Sequence, residues 1–141
     1  MSDLVMFNDY DHTPSVTVPQ ARVLKALMPQ FPDDPEFDWP VLTRVVLNVR
    51  VGYSAISTGI TRPLRGIPIG SSSGKPHPGL LDMDMVEVVT LDIDGVKEDS
   101  YKITTLGIRA FQKYASIHGD NLPVMRDASV YTNERYKKGK E

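Results

Sequence analysis

The chain contains no cysteine, which excludes disulfide scaffolds, Cys-ligated zinc fingers, thiol nucleophiles and thioredoxin-like redox chemistry. Long apolar runs are missing too: Val45-Val46-Leu47 is broken by Asn48, whereas a membrane-spanning helix needs about 20 apolar residues. Residues 1 to 11 are acidic where a secretory leader is basic and then apolar. The expectation is a cytoplasmic protein with neither an export signal nor a membrane partner. His12, His77 and His118 are scattered, and none has a second His or Cys at ligand spacing, so no metal site is expected.

Acidic residues are absent from one long stretch, and this gap says more than the formal net charge of -2. Residues 1 to 38 hold two basic and seven acidic side chains, a net of -5. Residues 39 to 81 hold Arg44, Arg50, Arg62, Arg65 and Lys75 and no Asp or Glu, a net of +5. Residues 82 to 100 carry one Lys and seven acids, a net of -6, and residues 101 to 141 carry eight basic and four acidic residues, a net of +4. A polyanion responds to a local patch rather than to the total, so the acid-free segment is the candidate binding region. At 141 residues one compact domain is expected.

Hydrophobic spacing and turn chemistry give an order of elements. Thr17 as N-cap and Pro19 in the first turn open a helix through Ala21, Leu24, Leu27 and Met28, predicted to end near Phe31 because Pro32 and Pro35 cannot continue it. Asp38 is the expected N-cap of a second helix, with Trp39, Leu42, Val46 and Val49 on one stripe and Gly52 as its stop. Phe31, Phe37 and Trp39 are assigned to the core at the junction of these two helices. Ile60, Leu64 and Ile67 recur at helical spacing, with Ser57, Thr58, Thr61, Arg62 and Arg65 opposite. Residues 68 to 78, rich in Pro, Gly and Ser, form a long loop. A hairpin follows, 86 to 93 and 96 to 103, turning at Asp94-Gly95. Thr104 or Thr105 caps a last helix that stops at Gly119.

Two strings carry a family resemblance. Residues 52 to 67, Gly-Tyr-Ser-Ala-Ile-Ser-Thr-Gly-Ile-Thr-Arg-Pro-Leu-Arg-Gly-Ile, resemble the turn and recognition helix of winged helix-turn-helix proteins. Residues 101 to 107, Tyr-Lys-Ile-Thr-Thr-Leu-Gly, resemble the strand ending that opens the final helix in many bacterial winged-helix regulators. The resemblance covers about residues 17 to 117. It implies an α+β winged helix-turn-helix domain over residues 17 to 118, with a three-helix core, a β-hairpin wing and a C-terminal helix. Residues 1 to 16 are then a loosely ordered arm and residues 119 to 141 a basic tail.

The same resemblance implies a bacterial or phage transcription regulator whose recognition helix enters the major groove of double-stranded DNA. A helix fits that groove by its diameter. Arg62 and Arg65 are placed to reach guanine or phosphate, Thr58 and Thr61 to reach thymine methyls or phosphate oxygens, and the backbone near Ser57 and Thr58 to take a phosphate. Ser54 in the turn and Lys75 in the loop complete the candidate DNA-binding set, with His77 a further backbone contact.

Three features depart from the pattern. Pro63 lies inside the expected recognition helix, which predicts a kink or a later start. The hairpin tip from Asp92 through Asp94 to Glu98 and Asp99 is acidic, the wrong sign for phosphate, which directs the wing toward a protein partner or solvent. The loop after the recognition helix is longer than the fold needs and is expected to order on binding.

Other chemistry finds no support in the residues. Residues 70 to 76, Gly-Ser-Ser-Ser-Gly-Lys-Pro, fall one residue short of a phosphate-binding loop and place Pro76 where Mg²⁺ needs a hydroxyl. Asp92-Ile93-Asp94-Gly95 lacks the closing Glu of a calcium loop. No serine has a neighbouring His/Asp pattern, so neither an enzyme nor a cofactor is expected. An alternative from a different class is a winged-helix module that docks on a larger nucleic-acid-processing or transcription complex through its acidic wing. For the last helix two roles stay open: packing against its copy in a homodimer, or finishing the monomer core, to which Phe111 is assigned.

Overall fold

Thr17 and Gln20 set the start of the first helix by capping each other's backbone. The computed structural model describes residues 13–34, 39–52, 60–70 and 75–124. In it α1, Val18–Leu27, begins with the Thr17 hydroxyl accepting from the Gln20 N–H at 3.3 Å and the Gln20 Oε1 accepting from the Thr17 N–H at 3.0 Å. Pro19 sits in the first turn, where no donor is missed. The helix stops at Leu27, short of Phe31, because Met28 precedes Pro29 and is extended at φ -61 and ψ 130. Phe31 is consequently 46% exposed and not part of the core. Trp39 does pack against the core, its indole N–H donating to the Asp34 carbonyl at 3.0 Å; Phe37 lies outside the described residues.

The second helix also starts later than its sequence pattern indicates. Leu42–Thr43 forms a short strand, β1, paired with Tyr101 and Ser100, and α2 runs Arg44–Val51 with Thr43 as N-cap, its hydroxyl accepting from the Val46 N–H at 3.3 Å. Asp38, the expected cap, lies outside the described residues. This start brings Leu47 and Val51 inward beside Val46, while Val49 is half-buried. Gly52 ends the helix as expected, left-handed at φ 81.

Next come α3, Arg62–Arg65, and the two-residue strands β2, Gly66–Ile67, and β3, His77–Pro78, which pair antiparallel. The hairpin is as expected: β4, Val86–Ile93, and β5, Val96–Ile103, join through Asp94 and Gly95 at φ 52 and 82, the double positive φ of a tight two-residue hairpin turn. Asp92 caps that turn, its Oδ1 accepting from the Gly95 N–H at 2.8 Å. Finally α4, Thr105–His118, starts at Thr104, whose hydroxyl accepts from the Gly107 N–H and donates to the Asp84 carbonyl, and stops at Gly119.

The described residues form an α+β fold of four helices and two small antiparallel sheets. The larger sheet has order β1-β5-β4, with Val86 opposite Ile103 at its root and Ile93 opposite Val96 at its tip. Helix α1 is central and packs against α2, α3, α4 and β5. Leu24, Leu27, Leu47, Ile60, Leu64, Leu80, Met85 and Ile103 are fully buried between these elements. Phe111 joins this core, as expected. Beyond α4, Leu122 is buried, and Lys25 reaches both its carbonyl and the Asp120 carboxylate at 2.7 Å. Among the described residues no helix is long and apolar enough to cross a membrane, and no group of three acidic or histidine side chains could hold a metal ion.

Candidate nucleic-acid interface

The acid-free segment contributes both structural and exposed cations. Arg50 is structural: its Nη1 donates to the Ala26 carbonyl at 3.1 Å and ties α2 to the end of α1. Arg22 reciprocates from α1 by donating to the Val51 carbonyl. Arg44, Arg62, Arg65 and Lys75 are exposed. Arg44 opens α2 and was not singled out by its sequence context.

Arg62 and Arg65 are three apart on α3 and therefore share a face, while Pro63 and Leu64 between them are buried. Pro63 is the second residue of α3 and is buried, and helical backbone continues upstream of it through Thr61 and Ile60. The helix ends at Gly66, φ 85, earlier than expected, and Ile67 belongs to β2. Ile60 and Leu64 are buried as the spacing predicts, and Ile67 is half-buried. Thr61 precedes the helix with helical backbone angles and no capping bond from its hydroxyl. Ser54, Ser57 and Thr58 lie outside the described residues. Lys75 stands two residues before β3.

The loop from 68 to 78 is held at its root more firmly than its composition indicates. The Pro63 and Leu64 carbonyls accept from the Leu80 and Leu81 N–H groups, each at 3.0 Å, so α3 is stitched to the chain returning from the loop. Gly66 and Gly79 lie so close that a Cβ on either would overlap the other strand's backbone. Only glycine permits that approach.

A residue the sequence reading passed over secures this arrangement. Gln20, 2% exposed on α1, sends its amide Nε2 to the Pro63 carbonyl at 3.3 Å and to the Pro78 carbonyl at 2.9 Å. Its Oε1 accepts from the Thr17 N–H and lies 3.0 Å from the His77 Nε2. Since the amide N–H groups face carbonyls, Oε1 must accept, and His77 donates from Nε2. His77 is thereby committed to an internal bond instead of the phosphate contact expected for it. One side chain links α1, α3 and β3, and so fixes the platform that presents Arg62 and Arg65. The spacing Thr17-x-x-Gln20 was a usable signal, since it marks a capping box.

The wing is acidic, as expected: Asp92, Asp94 and Asp99 are exposed and Glu98 half-buried. Its outer half carries Val89, Leu91, Ile93 and Val96 on one face, with Val96 64% exposed.

Comparison of the chain with family models, curated proteins and solved structures yields no match.

Proposed function

We propose that this protein binds double-stranded DNA in a sequence-specific manner as a winged helix-turn-helix domain, acting as a small transcription regulator without catalysis. The observation that carries the reading is topological. A short strand between the first two helices pairs with the second strand of the C-terminal hairpin, giving the order β1-β5-β4. That is the sheet expected when a helical DNA-reading unit is buttressed by a wing. The helix that precedes the hairpin is α3, which bears Arg62 and Arg65 outward in a segment free of Asp and Glu. Arginine at such a position reads guanine edges or grips phosphates.

Fluorescence anisotropy with random and genomic duplexes over a salt series tests the reading. Affinity falls steeply with salt, as counterion release requires, and survives better on some sequences. Arg62→Ala and Arg65→Ala each weaken binding by about 1–3 kcal/mol and relax discrimination if they read bases. Uniform loss on all sequences makes them phosphate contacts, and absence of any loss refutes the assignment.

A second reading, a protein-docking module, is favoured by the wing, where acidic side chains adjoin the apolar face of Val89, Leu91, Ile93 and Val96. Reversal of Asp94, Glu98 and Asp99 to Lys leaves the Asp92 turn cap intact and should abolish capture of such a partner from the host; retained capture excludes the wing as its docking surface.

A further inference from the structure

Ile69 is 90% exposed, well above Val96 at 64% and Ile117 at 63% among the other large apolar side chains that face solvent. It stands at the turn where the chain leaves β2, between Pro68 and Gly70, with Gly70 at φ 87. Ile69, Pro68, Arg65 and Asp82 border one shallow open depression, so the apolar side chain adjoins a cation of α3 and, on the returning chain, the carboxylate that caps the Gly79 N–H. Lys75 is exposed two residues ahead of the returning strand β3. The root below the tip is fixed by the Gly66–Gly79 backbone approach and by the Gln20 bonds to Pro63 and Pro78. Ile69 is thus an exposed branched aliphatic side chain next to the fixed root of the ribbon, with Arg65 and Asp82 on the same depression.

We propose that Ile69 is an intercalating wedge: it enters between two stacked base pairs beside the groove occupied by α3 and kinks the duplex. Aliphatic side chains inserted at a base step unstack it and bend the helix axis, and the bend brings more phosphates onto the protein. Arg65 and Lys75 neutralise the phosphates that crowd together at such a kink. Pyrimidine–purine steps unstack most easily and are the preferred targets, so the wedge adds sequence preference without a base-edge hydrogen bond. The assignment rests on the duplex-DNA reading above.

The test uses the full chain and a duplex of about 30 base pairs with a central TA step. The duplex carries 2-aminopurine at that step and a dye pair at its ends, and a second version has a mismatch at the same step. Wild-type protein raises 2-aminopurine fluorescence, shortens the end-to-end distance and prefers the pre-unstacked mismatched duplex by about tenfold. Ile69→Ala loses the fluorescence rise, the shortening and the preference, while Ile69→Met, which keeps an apolar wedge, retains them. At so exposed a position neither change disturbs folding, and circular dichroism verifies this. Tight binding by wild type with silent 2-aminopurine, or an Ile69→Ala protein that bends DNA like wild type, overturns the wedge and leaves the DNA reading standing. Absence of wild-type binding to any duplex at low salt overturns both.

Discussion

Replacing Gln20 by methionine keeps the length and approximate volume of the side chain and removes every hydrogen bond it makes. The Pro63 carbonyl loses little, because the Leu80 N–H still donates to it at 3.0 Å. The Pro78 carbonyl, the Thr17 N–H and the His77 Nε2–H each lose the Gln20 partner at 2.9–3.0 Å. At about 1 kcal/mol per lost bond, more where water cannot substitute, the variant is destabilised by about 3 kcal/mol. Urea unfolding followed by circular dichroism reads this as a midpoint lower by about 1.5 M at unchanged slope. A shift below about 0.3 M would refute the claim that this amide holds α1, α3 and the ribbon together.

Ser100 is fully buried and, among the described residues, its Oγ has no hydrogen-bond partner. Ser100→Ala removes that unsatisfied hydroxyl and raises stability by about 0.5–1 kcal/mol in the same urea assay. Gly107 in α4 lies against the Met85 carbonyl, where a Cβ would overlap the backbone and approach the Ile103 Cγ1 to 2.8 Å. Gly107→Ala consequently costs about 3 kcal/mol despite the higher helix propensity of alanine, seen as a lowered thermal midpoint.

Elements specified by nearby residues were legible in the sequence. The Asp94-Gly95 turn fixes both hairpin strands to the residue, and Thr17 with Pro19 fixes the start of α1, because each signal acts within four residues. The end of α1 was misplaced at Phe31, because Pro32 and Pro35 draw the eye before Pro29, which extends Met28 and stops the helix at Leu27. By contrast, Leu42 and Thr43 are a strand only because Tyr101 and Ser100 offer them an edge across some 58 positions of sequence, and nothing local announces that pairing. The same is true of Gly66 and Ile67 against Pro78 and His77. For the candidate interface, helical spacing placed Arg62 and Arg65 outward and Ile60 and Leu64 inward correctly. His77 was misread because an imidazole in a Pro/Gly-rich loop looks solvent-facing until a distant glutamine is found to accept from it.

The Gly66–Gly79 contact makes the base of the ribbon a socket. Two backbones locked together at that point, with a glutamine bolting them to the first helix, separate the conformation of the scaffold from whatever residues are carried between Ile67 and His77. Segments of other length or chemistry could be spliced into that interval without redesign of the core. The scaffold would hold each new insert at the same distance and angle from Arg62 and Arg65. A library built on that interval would vary what is recognised and leave the fold unchanged.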